Sequence, residues 1–262
     1  AAVGAELATS LPTEFPVLCL QNGLRGTETL ATAMPKHRVL AGMVAFNVVH
    51  EDPATFFQTT SGEVMVDADP LLDPLITAAQ QADPPLRLVA RADMSSVHAA
   101  KLLLNLNNAI NALSGIPLKA ELSDRDFRRV LAAAQREALA VYAAASISPA
   151  KLTPVPPAAM TRILETPTAL FTLLARTALS VHPKARSSMA DDLDRGRPTE
   201  IAELQGEIIR LGLAHGIPTP VSKALVRLVG EAEADGPGRR RWSGPALLAE
   251  VKEAERGARI RG

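Results

Sequence analysis

Cysteine and aromatic residues are scarce in this chain, and charge of neither sign is in excess. A single cysteine in 262 residues excludes a disulfide framework and any zinc site built from cysteines. That residue, Cys19, lies within Val17-Leu18-Cys19-Leu20 and reads as a small core side chain. Aromatic residues make up only 3% of a chain that is 47% apolar, so alanine and leucine must do most of the packing, which favours helices. The 28 basic and 28 acidic residues cancel, leaving no field to steer the chain toward nucleic acid. No apolar run reaches the roughly 18 residues that a membrane helix needs, and the first residues show no basic stretch ahead of an apolar one. The expected placement is therefore the cytoplasm, with no membrane partner. Several catalytic signatures are also missing: G-x-S-x-G, H-E-x-x-H and the phosphate-cradling G-x-x-x-x-G-K-[ST]. The five histidines show no metal-ligand spacing, so no metal is expected.

The first part of the chain alternates strand and helix signals. Pro16–Leu20 is a short apolar run ended by Gln21-Asn22-Gly23, a strand entering a turn. Thr27–Met34 suggests a short helix, Val39–Val49 a buried strand, Glu63–Asp67 and Leu86–Ala90 two more strands, and Pro70–Asp83 a helix between those two. Beyond residue 95 the strand-like runs stop and helical periodicity takes over. Helices are expected over 96–114, from Ser123 to Ala145, over 160–180, from Ile201 to the stop at Gly216-Ile217-Pro218, and over Thr219–Ala232. Ser123-Asp124-Arg125-Asp126 resembles a capping box with aspartate in the place of glutamate. The expected organisation is an incomplete α/β unit over 1–95, a helical domain over 96–235 and a basic tail over 236–262. The tail carries Arg239-Arg240-Arg241-Trp242, which fits a solvated terminal segment better than a phosphate contact.

Three polar clusters could carry chemistry. In Lys101-Leu-Leu-Leu-Asn105-Leu-Asn107-Asn108-Ala-Ile-Asn111, helical spacing stacks Lys101, Asn105 and Asn108 along one stripe, while leucine and isoleucine cover the other directions. Such a stripe either finds partners or costs about 1–3 kcal/mol per unmatched group. A polar substrate is one partner; the alternative is Lys101 snorkelling to solvent with the asparagines bonded to nearby loops. In the second cluster, Ser187 and Ser188 precede a turn through Gly196, and Thr199-Glu200 opens the next amphipathic helix. There Thr199 suits the cap and Glu200 the positive helix end. The third is Asn22, a carboxamide at the end of a strand, where doubly wound sheets bind ligands. His98, one turn before Lys101, reads as a surface residue that could also tune the lysine.

In this order the clusters resemble the ketopantoate reductase (2-dehydropantoate 2-reductase) family. The shared landmarks are Leu20-Gln21-Asn22-Gly23, Lys101-x-x-x-Asn105, Ser187-Ser188-Met189 leading to Thr199-Glu200-Ile201, and His215-Gly216-Ile217-Pro218-Thr219-Pro220, spanning roughly Pro16 to Gly230. The resemblance implies a Rossmann-type domain followed by an all-α domain of the 6-phosphogluconate dehydrogenase C-terminal type. It implies NADPH-dependent reduction of a 2-oxo acid, ketopantoate to pantoate, as in pantothenate biosynthesis, and it allows a homodimer. Carried over by position, Lys101 and Glu200 would be the catalytic residues, Lys101 as the general acid and Glu200, with Asn105, binding substrate hydroxyl and carbonyl-side groups. Asn105, Asn108 and Ser188 would bind substrate, Ser188 its carboxylate, and Asn22 and Glu200 would lie near the NADP nicotinamide. Reduction of another 2-oxo acid on the same fold is the alternative. So is a non-catalytic helical module for ligand binding or dimerisation.

Two departures from the family pattern bear on these expectations. Where the family has a second asparagine, eight residues after the lysine, this chain has Ala109. The family's strand and G-x-G-x-x-G/A loop for the cofactor pyrophosphate also have no counterpart here, and Gly23-Leu24-Arg25-Gly26 does not fit it. The 262-residue chain by itself is therefore expected to bind NADPH poorly. Equilibrium titration checks this, and micromolar affinity would contradict it.

Overall fold

The computed structural model describes residues 2–52, 55–58, 62–175 and 185–261, and the last part of the helix expected over 160–180 lies outside them. The chain divides into two compact units, Ala1–Lys101 and Leu102–Gly262.

The first unit is α/β. In chain order it holds α1 (Ala2–Ser10), β1 (Val17–Cys19), α2 (Gly26–Ala33), β2 (Val39–Val44), β3 (Val48–Asp52), β4 (Thr55–Gln58), β5 (Val64–Asp67), a 3-10 turn at Pro70–Leu72, α3 (Asp73–Gln81), β6 (Leu88–Arg91) and α4 (Met94–Asn105), which runs on into the second unit. Four strands form a sheet in the order β1-β2-β5-β6. β1 and β2 pair in parallel, as do β5 and β6, while β2 and β5 are antiparallel. Leu40, Val64, Val66, Leu72 and Leu88 form its core, with Leu18, Val44, Phe46, Ile76 and Ala79 packed on them. Cys19 is buried there as expected. The single strand expected over Val39–Val49 is instead two. After Val44 the chain leaves the sheet, Ala45 N–H donating to Glu63 O at 3.0 Å, and β3 pairs antiparallel with β4 in a separate hairpin.

The second unit is helical: α5 (Asn107–Ser114), α6 (Leu118–Ser123), α7 (Arg125–Ala144), α8 (Pro157–Glu165), α9 (Thr168–Leu174), α10 (Ser188–Asp194), α11 (Gln205–His215), α12 (Pro220–Asp235), a 3-10 turn at Gly236–Gly238, and α13 (Gly244–Arg261). The central α7 packs against α8, α11, α12 and α13. Its buried Ala132, Ala133, Ala134 and Ala138 let those neighbours approach closely, which is how a core with few aromatics reaches native density. The start of α7 differs from the capping box expected at Ser123. Asp124 is the cap, accepting from Asp126 N–H at 2.7 Å, because α6 still includes Ser123, whose hydroxyl donates to Lys119 O at 2.7 Å. Glu137 on α7 caps a different helix, accepting from Val221 and Ser222 N–H at 2.8 Å each at the start of α12.

The segment expected to be a solvated tail is instead part of the fold. Leu247 and Val251 of α13 are fully buried, and α13 packs on α7 and α12. Ahead of it, the basic triplet straps the end of α5. Arg239 Nη2 donates to Ala112 O at 3.3 Å, and Trp242 N–H donates to Leu113 O at 2.9 Å. Gly115 ends α5 at φ +69, a conformation that favours glycine, and the Arg241 side chain packs against it. Arg239, Arg241 and Arg186 all converge on the Asp194 carboxylate. Arg239, Arg241 and Arg186 are thus engaged by a helix-end carbonyl and one aspartate.

Two fully buried charge-bearing groups fasten the helices. Arg128 of α7 donates to Leu122 O (2.9 Å), Ser123 O (3.1 Å), Leu164 O (3.0 Å) and Thr166 O (3.0 Å), so its guanidinium closes the C-terminal ends of α6 and α8. It also lies 4.2 Å from the Phe171 ring centroid. Glu121 of α6 accepts from Asn111 Nδ2 at 2.7 Å and Ser114 Oγ at 3.3 Å, and burial pushes its pKa from 4.5 up to about 7.

Each group gives a stability prediction. Arg128→Ala removes the donor to four carbonyls, of Leu122, Ser123, Leu164 and Thr166, and is expected to cost about 3–5 kcal/mol in urea unfolding; a loss under about 1 kcal/mol would contradict the account. Glu121 keeps its proton in the folded state between pH 4.5 and about 7, where the unfolded chain releases it. Stability is therefore lost as pH rises through that window, by about 3 kcal/mol in all. In Glu121→Gln this part of the pH dependence is expected to vanish. An identical profile in the two proteins would refute the burial.

Candidate active site

The helix expected over 96–114 breaks at Leu106, the single residue between α4 and α5. Leu106 N–H still reaches Leu102 O at 3.0 Å, yet side chains claim the carbonyls on either side of the break. Gln135 of α7 donates through Nε2 to Leu103 O at 3.1 Å, and Gln205, fully buried at the start of α11, donates to Leu106 O at 2.9 Å. A break within an apolar helix needs such partners, because buried carbonyls rarely go unmatched. The sequence reading missed both glutamines. Their signal was amphipathic helices carrying a carboxamide at an otherwise buried position.

The polar line therefore divides by fate. Lys101 is half-buried on α4 and makes no ion pair among the described residues; burial holds its pKa below the usual 10.5. Asn105, one turn on, is buried, with 8% exposure. Asn108 is half-buried in the first turn of α5. Ala109, where the family pattern places an asparagine, is fully buried. Asn111 is wholly consumed by the protein: its Nδ2 donates to Glu121 Oε2 at 2.7 Å and to Ile116 O at 2.9 Å, and its Oδ1 accepts from Ser187 N–H at 2.8 Å.

That last bond brings the serine pair to α5. Ser187 caps α10 by accepting from Ala190 N–H at 3.2 Å, and its hydroxyl donates to Asn108 O at 3.3 Å. Ser188, the next residue, is exposed at the head of α10. The second unit thus gathers Asn108 and the Ser187-Ser188 turn into one neighbourhood. Glu200 follows later in the chain, beyond the turn through Gly196. Its own environment differs from expectation: α11 begins at Gln205, so Glu200 is exposed in a preceding turn, where its carbonyl accepts from Glu203 N–H (3.0 Å) and Leu204 N–H (3.2 Å). Thr199 accepts from Ile201 N–H at 3.3 Å, capping this turn and not an α-helix.

In the first unit, Asn22 is half-buried in the turn between β1 and α2, beside Gly23 at φ +89, a conformation that glycine alone adopts cheaply. Thr27 Oγ1, in the first turn of α2, is buried without a partner among the described residues. A carboxamide and an orphaned hydroxyl at the carboxyl end of a strand fit the nicotinamide end of a dinucleotide. His98 corrects the surface reading: it is buried, and its Nε2 donates to Gly42 O on β2 at 3.0 Å, fixing α4 on the sheet one turn before Lys101. Among the described residues no group of three or more His, Cys, Asp or Glu could hold a metal ion, and no helix is long and apolar enough to cross a membrane.

Comparison with known proteins bears on the family and the fold. The family described as "Ketopantoate reductase PanE/ApbA C terminal" matches residues 93–233, and its partner family "Ketopantoate reductase PanE/ApbA" matches residues 1–69. A 2-dehydropantoate 2-reductase of Halobacterium salinarum is 28% identical over 225 residues, which cover 84% of this chain and 68% of that protein. Among solved structures, a PanE/ApbA family ketopantoate reductase from Ralstonia eutropha JMP134 superposes with a TM-score of 0.72 at 25% identity, covering 89% of this chain and 72% of the other. A D-mandelate dehydrogenase in complex with NADH and anilino(oxo)acetate shares the fold, with a TM-score of 0.68 at 20% identity over 89% of this chain and 72% of the other. Matched by family models over more than half its length, with an α/β unit ahead of a helical one, this chain belongs to the ketopantoate reductase family of oxidoreductases.

Proposed function

We propose that the protein reduces a 2-oxo acid at the expense of a nicotinamide cofactor, with 2-dehydropantoate and NADPH as the leading pair. Residues 1–95 would serve the cofactor and 96–235 the substrate. The observation that carries the reading is Lys101: a half-buried ammonium without an ion pair, its pKa lowered, one turn from Asn105 on the same helix of a chain in this family. A cation kept partly dry and unpaired costs free energy, and a reaction that builds negative charge beside it offsets that cost.

When bound, the reduced nicotinamide supplies a hydride to the carbonyl carbon of the substrate. Lys101 Nζ gives a proton to the carbonyl oxygen as charge develops there, so ketone, hydride and proton together make the hydroxyl. Burial assists this by bringing the lysine pKa closer to working pH, where proton transfer is more favourable. Ser188 holds the substrate carboxylate, Asn105 and Asn108 hold its carbonyl-side and hydroxyl oxygens, and Asn22 orients the nicotinamide carboxamide. Glu200 completes the site as an acceptor for a substrate hydroxyl near the nicotinamide. A cytoplasmic homodimer agrees with this reading, and one relative of the same fold, from Staphylococcus aureus, is described as dimeric.

A second reading, reduction of a different 2-oxo acid, rests on Ala109. With alanine there and Asn111 consumed by Glu121 and Ser187, α5 offers substrate fewer amides than the family pattern. Turnover of a panel of 2-oxo acids by the full-length gene product, with NADPH and with NADH, separates the two readings.

Lys101→Ala is expected to lower kcat by about 10²–10⁴-fold with 2-dehydropantoate or the preferred 2-oxo acid. In the wild type the reductive rate is expected to fall as pH rises through the lysine pKa, at a pH below 10.5, and that limb should disappear in Lys101→Ala. Near-normal turnover in the variant would rule out the assigned role.

A further inference from the structure

We propose that Asn111 and Glu121 act as a positioning pair for the substrate carboxylate, setting where the Ser187-Ser188 turn stands relative to Asn108. The inference rests on the reading above, in which Ser188 and Asn108 bind the 2-oxo acid. Neither residue of the pair reaches a ligand, since both are fully buried. Their work is transmitted through one chain of hydrogen bonds. Glu121 Oε2 accepts from Asn111 Nδ2 at 2.7 Å; Asn111 Oδ1 accepts from Ser187 N–H at 2.8 Å; Ser187 Oγ in turn accepts from Ala190 N–H and donates to Asn108 O.

The chain has few ways to slip. Asn111 Nδ2 also donates to Ile116 O at 2.9 Å, and Leu118 N–H donates to Ala185 O at 2.9 Å, so Ala185, two residues before Ser187, is tied to the start of α6. Removing the acid's acceptor leaves Ile116 O as the one partner on the nitrogen side of the carboxamide, so the acceptor of Ser187 N–H is held less firmly. A shift of about 1 Å in a group that holds substrate is enough to cost binding. Glu121 Oε1 and Asn107 Oδ1 are both buried without a hydrogen-bond partner among the described residues, and the Asn107 amide lies against the same carboxyl. That arrangement suits a protonated acid, and a carboxamide would suit it equally.

The decisive variant is Glu121→Met, of similar length and apolar. It removes the acceptor of Asn111 Nδ2 and leaves that amide Ile116 O as its partner. It is expected to raise KM for the 2-oxo acid about tenfold, leaving KM for the nicotinamide cofactor and kcat within about twofold. Glu121→Gln, which retains an acceptor for Asn111 Nδ2, is expected to restore the substrate KM. Asn111→Ala should match Glu121→Met, and combining either with Ser188→Ala should add little to Ser188→Ala alone, because both act through one turn. If Glu121→Met does not fold, the same cycle is read from Asn111→Ala and Glu121→Gln. The proposal is overturned if Ser188→Ala raises the substrate KM while the Glu121 and Asn111 variants leave it unchanged, or if the effects simply add. If Ser188→Ala has no effect, or no 2-oxo acid binds the wild type, the substrate reading fails first and takes this pair with it.

Discussion

A polar group inside an apolar helix must be matched, and the helical unit is arranged around that requirement. The break at Leu106 is its clearest expression. Two glutamines from distant helices take the carbonyls of Leu103 and Leu106, which fixes the register of α7 and α11 against α4 and α5. Arg128 does the same for the ends of α6 and α8, and Glu137 for the start of α12. The arginine strap does it for the end of α5. In each case a long side chain from one helix satisfies the open end of another, and in doing so sets their mutual position. A core with so few aromatics has little shape to specify packing, so these bonds supply the specificity that interlocking rings would otherwise give.

Against that background Lys101 stands apart. Asn111, Gln135, Gln205, Glu121 and Arg128 all have protein partners, whereas Lys101 makes no ion pair among the described residues and its proton affinity is lowered by burial. On the proposed reading, what completes this cation is the substrate. In that reading its partner is the oxygen of a carbonyl undergoing reduction.

Much of this was legible in the sequence. Strand-like runs at Val17–Leu20, Glu63–Asp67 and Leu86–Ala90 and the switch to helical periodicity near residue 95 gave the fold class, because period-2 and period-3.6 patterns are local properties. The Lys101-x-x-x-Asn105 spacing and the serine pair pointed to the site for the same reason. What could not be read were long-range partnerships. Nothing local distinguishes Gln205 from a surface glutamine, or shows that Leu106 interrupts a helix whose apolar pattern continues through it. The strap at 239–242 was misjudged because a run of arginines looks solvated until the carbonyls and the aspartate that bind it are known. Glu200 was placed in a helix because Thr199-Glu200 has the composition of a cap, although the chain spends one further turn before α11 begins.

The account stands on the protonation of one side chain. The most direct test is a heteronuclear NMR titration of the Lys101 ammonium in the selectively labelled protein. The account predicts a pKa below the 10.5 of an ordinary lysine, rising when a carboxylate-bearing 2-oxo acid is bound beside it. A value at or above 10.5 in the free protein, unmoved by any 2-oxo acid, would contradict it.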